Sequence, residues 1–190
     1  MGIELDKVSR YWNLRSKKHE RDTVGFLGNI GNQESEYIKK QTFVKECIKE
    51  KSSLNMFTLD YGSGVGRWSP VFENYLGVEI CEKLYKYAKE DFPNHSFFLE
   101  RKPFFFSNEL NKMISSEKNK KRFFTSTVLQ HNTDKSVNLF FKNVLAKSCF
   151  DEFVFYECSE KENRAAHMAG RSPKDYLNTV SYTHLRAHET

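Results

Sequence analysis

From Met56 onward, short apolar runs alternate with amphipathic stretches of 8 to 12 residues, and this alternation restricts the fold more than any other feature. Residues 56–59 (MFTL) read as a first strand, followed by a glycine-rich loop and a helix over residues 68–75. Residues 76–80 are the next strand, CEKLYKYAKEDF a helix with Leu84, Tyr87 and Ala88 on one face, 96–99 a strand and 108–115 a helix. A strand at 122–127, a helix at 135–146 and a strand at 153–156 complete the series. Such a series predicts an α/β, Rossmann-like domain: a doubly wound parallel sheet of about five strands with flanking helices. Right-handed crossovers then put every strand's C-terminal end on one edge, where open sheets of this kind bind ligands.

The flanks are less regular. Residues 1–35 are polar, with an aromatic pair Tyr11-Trp12 and a glycine-rich loop (Gly25, Gly28, Gly31). Residues 34–51 carry Tyr37, Ile38, Val44 and Ile48 at roughly helical spacing, which predicts an amphipathic helix. Near the other end, Ser172 suits a helix N-cap, Pro173 the first helical position and Asp175 the first turn. The last eleven residues, VSYTHLRAHET, have no periodicity and resemble the translation of a transposase-type sequencing adapter. We therefore expect residues 1–51 to form N-terminal cap helices, 52–178 the main domain and 179–190 a non-native tail, with native sequence ending near Asn178. His184 and His188 fall in that tail and are not candidate ligands.

With 38% hydrophobic and 29% charged residues over 190 positions, the chain reads as a soluble globular protein of one ordinary domain. No apolar run approaches the ~20 residues of a membrane span, and MGIELDKVSR lacks a signal peptide's apolar stretch. A cytoplasmic location without a membrane partner is the expectation. Cys47, Cys81, Cys149 and Cys158 are widely spaced with no CxxC pair, so reduced thiols and no metal site are expected. The net charge of +5 is thinly spread, and basic runs such as residues 118–122 read as solvated helix faces more readily than as a nucleic-acid surface.

The stretch LDYGSGVGRW closes the first strand. Its glycines allow positive φ and a close approach of backbone to ligand, although a plain tight turn would use the same residues. The spacing is G-x-G-x-G, not the G-x-G-x-x-G that seats a pyrophosphate. Asp60 stands directly before the loop, where it repels phosphate and suits a cation. S-adenosylmethionine is such a ligand, with an ammonium, a sulfonium and no phosphate. Glu79 follows nineteen positions later at the end of the next strand, where a carboxylate can accept from both ribose hydroxyls. A solvent-exposed strand-end acid is the alternative there.

On these residues the chain resembles the class I S-adenosylmethionine-dependent methyltransferases over about residues 8–178. LDYGSGVGRW is similar to the family's first motif, GVEI to its ribose-binding acid, and FFTSTVLQHNTD to its fourth-strand segment. YWNLRSKKH with TVGF resembles the N-terminal cap helix, and EFVFYECSE with GRSPKDY the fifth strand and following helix. The resemblance implies S-adenosyl-L-methionine as cofactor. Asp60 would face its methionine part, Tyr61, Gly62, Gly64 and Gly66 would belong to the donor loop, and Glu79 would hold the ribose. Leu129 and Gln130 would line the pocket near the sulfonium, and Trp12 would help close a lid. Glu100 is the candidate for the adenine-contacting acid.

The resemblance also implies that the usual seven-stranded sheet lacks its last two strands here, leaving an apolar edge beside the fifth. His131 and His167 are the candidate general bases, each with a plain local hydrogen-bonding role as the alternative. Arg164 and Arg171 could bind an acidic substrate group. The position after the fourth strand contains no proline, which disfavours a DNA amino-methylase. A small-molecule, sugar or other non-DNA acceptor is expected. A nicotinamide-dependent oxidoreductase, or a basic nucleic-acid-binding module using residues 118–122 and the phenylalanines, are the rival readings.

Overall fold

The computed structural model describes residues 2–21, 33–51, 53, 55–143, 150–157, 169–176 and 178. In it the apolar runs are strands of one sheet: β1 Phe57–Tyr61, β2 Asn74–Glu79, β3 Ser96–Leu99, β4 Lys121–Ser126 and β5 Glu152–Tyr156. Their order is β3-β2-β1-β4-β5, and every pairing is parallel. The order reverses at β1, between the crossover toward β2 and the return to β4. A crevice therefore opens at the C-terminal ends of β1 and β4. Central β1 is buried at all five positions, as expected of a parallel strand covered on both faces.

Among the described residues the longer helices are α1 Leu5–His19, α2 Gln33–Lys51, α3 Glu82–Asp91, α4 Asn108–Ser116 and α5 Asp134–Asn143. Strand alternation sends Phe57, Leu59 and Tyr61 to the face covered by α4 and α5, where Leu110, Ile114, Val137, Phe140 and Phe141 meet them. Tyr75, Trp68 and Phe72 pack on the other face with Val44 and Ile48 of α2. A smaller cluster joins Val65, Cys81 and Leu84 to Trp12 of α1. Here α1 lies over the C-terminal edge.

Three expectations need correction. Residues 68–75 do not form a helix: a 3-10 turn Ser69–Val71 is followed by extended Phe72 and then β2. Trp68, Val71, Phe72 and Tyr75 stand at i, i+3, i+4 and i+7, yet pairing with β1 claims Tyr75 for the sheet. Strand pairing therefore overrides the helical spacing. Ile38 is 55% exposed, so only Val44 and Ile48 of the proposed α2 stripe reach the core; the Tyr37 side chain lies outside the described residues. Arg122 is not part of a solvated basic run. It is fully buried in β4, paired with Glu152 and donating to Thr58 Oγ1 (3.2 Å) and the Ser53 carbonyl (2.8 Å).

The start at Ser172 is as expected. Its hydroxyl accepts from the Asp175 N–H (3.3 Å), and the Asp175 carboxylate accepts from the Ser172 N–H (2.8 Å). Cys47 is exposed and Cys81 buried, while Cys149, Cys158 and residues 179–190 lie outside the described residues. No helix among the described residues is long and apolar enough to cross a membrane.

Candidate functional site

Four of the five strands deliver an acid to the same edge of the sheet. Asp60 is the penultimate residue of β1, Glu79 the last of β2, and Glu100 and Glu157 immediately follow β3 and β5. Each carboxylate is engaged locally. Glu79 accepts from the backbone N–H groups of Gly64, Ile80 and Cys81, all at 2.8 Å. Glu100 accepts from Arg101 (2.9 Å) and Ser107 (2.8 Å) and so ties down the loop after β3. Burial pushes the Glu79 carboxyl above its ordinary range, although its three backbone donors pull the other way.

The glycine loop is built against this acid. Gly62, Gly64 and Gly66 have φ of 77°, 58° and 79°, in the left-handed region that side chains disfavour. The Gly62 and Ser63 N–H groups donate to the Val78 carbonyl at 2.8 and 3.1 Å, folding the loop back over β2. At Gly62 a Cβ would stand 2.5 Å from Val128 Cγ2, so the loop and the segment after β4 touch without room for a side chain. Gln41 of α2 donates to the Arg67 carbonyl and holds the loop's far end.

Asp60 lies beneath the loop, 1% exposed. Its Oδ2 accepts from the Tyr75 hydroxyl at 2.7 Å, and its Oδ1 is buried with no hydrogen-bond partner among the described residues. Burial, with the nearby Glu79 charge, lifts its pKa from 3.8 to about 7 against the Tyr75 hydrogen bond. A buried carboxylate with one open oxygen is an incomplete arrangement that a cationic group completes. Tyr61 points the other way. Its ring stacks with Phe140 (4.9 Å between centroids) in the aromatic core, and its hydroxyl accepts from the Phe104 N–H. Its side chain is structural, and only its backbone continues into the loop.

Leu129, Gln130 and His131 form a 3-10 turn after β4, with Leu129 fully buried and Gln130 6% exposed. The His131 ring meets Trp12 edge-on at 5.2 Å. Trp12 also packs on the cluster of Val65 and Cys81, so one α1 side chain touches the glycine loop's neighbourhood and the turn after β4. The Cys81 thiol lies 3.3 Å from Ser16 Oγ and 3.5 Å from Asn13 Oδ1, fastening α1 to the segment that holds Glu79. The structure thus brings together Asp60, the three glycines, Glu79, Leu129, Gln130, His131 and Trp12. His167 and Arg164 lie outside the described residues.

Arg171 is not available to a substrate. It is buried, donating to the carbonyls of Leu129 (2.8 Å) and Asn132 (2.6 Å) and to Asp134 Oδ1 (2.8 Å). Glu157 went unrecognised in the sequence. Its carboxylate accepts from Thr125 Oγ1 (2.7 Å) and the N–H groups of Val128 (3.0 Å), Leu129 and Gln130 (both 3.2 Å). The available signal was an acid ending an apolar strand, the same signal that marks Glu79. No cluster among the described residues could hold a metal ion.

No family model matches the chain, and no curated protein matches it. Solved structures do. Magnesium protoporphyrin IX methyltransferase from Synechocystis PCC 6803, with bound SAH, superposes with a TM-score of 0.67 at 14% identity over 94% of this chain and 88% of that one. A SAM-dependent methyltransferase from Leishmania major gives 0.65 at 15% identity, over 94% and 72%. Haemonchus contortus phosphoethanolamine N-methyltransferase 1, in complex with phosphoethanolamine and S-adenosylhomocysteine, gives 0.63 at 15% identity, over 91% and 39%. This chain has the fold that these S-adenosylmethionine-dependent methyltransferases share.

Proposed function

We propose that the chain binds S-adenosyl-L-methionine and transfers its methyl group to a small-molecule, sugar or other non-DNA acceptor. The observation that carries this reading is the acidic edge around the glycine loop, with Asp60 Oδ1 buried and open among the described residues. A ligand with an ammonium and a sulfonium suits that field, whereas the pyrophosphate of a nicotinamide dinucleotide would be repelled by it. Solved structures of the same fold hold SAM or SAH, which agrees with the choice.

When bound, S-adenosylmethionine supplies a methyl group activated by a positively charged sulfur. Asp60 takes the ammonium of its methionine part, Glu79 accepts from the ribose hydroxyls, and Gly62, Gly64 and Gly66 allow the backbone to lie against it. Leu129 and Gln130 line the pocket near the sulfonium, and Trp12 shields it from water. Holding the acceptor in line with the methyl supplies most of the rate, in favourable cases ~7–11 kcal/mol. For a hydroxyl acceptor, His131 takes the proton at the edge of the turn after β4; His167 is the second candidate.

Calorimetric titration with S-adenosylhomocysteine and, separately, with NAD+ tests the reading. We expect saturable binding of the first and none of the second. The reverse result would establish the oxidoreductase alternative. Steeply salt-dependent nucleic-acid binding without S-adenosylhomocysteine binding would establish the basic module instead.

A further inference from the structure

The turn after β4 is gripped from two sides by chain that follows it. Glu157 collects the N–H groups of Val128, Leu129 and Gln130 on one carboxylate. Arg171 collects the carbonyls of Leu129 and Asn132 on one guanidinium. The Ala169 N–H adds a bond to the Gln130 carbonyl at 2.6 Å. Donors of the turn meet a negative charge and acceptors a positive one, both in little-hydrated surroundings where charge-assisted bonds are strong. Every backbone group so held removes a way for the turn to rotate, and Gln130 and His131 ride on it.

We propose that Glu157 and Arg171 are positioning residues: together they clamp the turn Val128–Asn132 and fix the direction of Gln130 and His131 toward the bound methyl donor. The inference rests on the donor site described under Proposed function. Both act on that site through the turn they hold. Arg171 is needed as a fork, because it reaches two turn carbonyls and Asp134 at once, which one ammonium on a flexible stem cannot do. Burial pushes the Glu157 carboxyl up, and its four hydrogen bonds pull it down.

The test compares wild-type full chain with Glu157→Gln, Glu157→Leu, Arg171→Lys and Arg171→Met. Each is measured for S-adenosylhomocysteine affinity by calorimetry, for thermal unfolding, and for amide hydrogen exchange across residues 128–132. With one buried partner removed, we expect affinity to fall roughly tenfold in Glu157→Leu and Arg171→Met. Exchange in the turn should accelerate while β1 and β2 stay protected. Arg171→Lys should resemble Arg171→Met, and Glu157→Gln, which keeps one carbonyl acceptor, should recover part of the loss. If Glu157→Leu unfolds, the Gln and Lys variants still decide: wild-type affinity and wild-type exchange in both would overturn the clamp. A wild-type chain with a protected turn but no S-adenosylhomocysteine binding would overturn the donor reading, and with it the clamp's purpose.

Discussion

Asp60 shows what burial does to a single side chain. One oxygen is satisfied by Tyr75, the other meets no donor among the described residues, and the pKa rises to about 7. A carboxyl that holds its proton more tightly in the folded state than in the unfolded one favours folding at low pH. It loses that advantage as pH climbs from its unfolded value through its folded one. Glu79 and Glu157 are raised by the same cause, so all three act in the same direction. We expect the ligand-free chain to melt at a higher temperature at about pH 5 than at about pH 8. Of that difference the Asp60 share is roughly 3 kcal/mol, since about two units of its pKa shift lie above pH 5 at about 1.4 kcal/mol each. Asp60→Asn, which keeps an acceptor for Tyr75, should reduce most of that difference in melts followed by circular dichroism. A variant whose pH dependence equals that of wild type would refute the assignment. The sequence marked Asp60 by its place before the glycines, but its open oxygen depends on Tyr75, fifteen residues away.

Among elements, the decisive contact joins the glycine loop to the turn after β4. Gly62 combines a φ of 77° with a Cβ position 2.5 Å from Val128 Cγ2, so Gly62→Ala carries both backbone strain and a clash. We expect it to cost about 2–3 kcal/mol, from ~1–2 for the left-handed backbone plus the overpacking. Adding Val128→Ala should relieve the clash but leave the strain, so the double variant should recover part of the loss in urea unfolding. Full additivity of the two single losses would show that the contact is absent. G-x-G-x-G was readable as a turn with positive φ, since only glycine adopts it freely. Its neighbour Val128 was not, because parallel pairing of β1 with β4 brings together residues more than sixty positions apart. Residues 68–75 misled for a related reason: their apolar spacing fits a helix, and only pairing with β1 makes them turn and strand.

At the scale of the whole molecule, the sheet is held between two unequal layers. The larger is aromatic: Phe140, 1% exposed, stacks with Phe104 at 4.6 Å and Tyr61 at 4.9 Å between centroids and meets Phe123 at 5.7 Å. Phe140→Ala opens a cavity among these rings and should lower the unfolding free energy by about 3–5 kcal/mol. That is a large part of a typical domain's stability, so a loss below about 1 kcal/mol in denaturant unfolding would show that the rings do not pack as described. Phe123, Phe124, Phe140 and Phe141 are all fully buried and so serve the core, whereas Phe43 and Phe105 are exposed.

Local chemistry alone determined the alternation of strand and helix, the positive-φ loop, the acids at strand ends and the Ser172 cap. Each is written in residues close together along the chain. Tertiary structure alone decided which acids have open oxygens, that Arg122 and Arg171 are buried partners and not surface charge, and that Glu157 and Arg171 meet on one turn. These contacts span 15 to 69 residues, and no local period encodes them. They exist because the strand order sets β4 between β1 and β5 and so gathers distant segments around both ends of that strand.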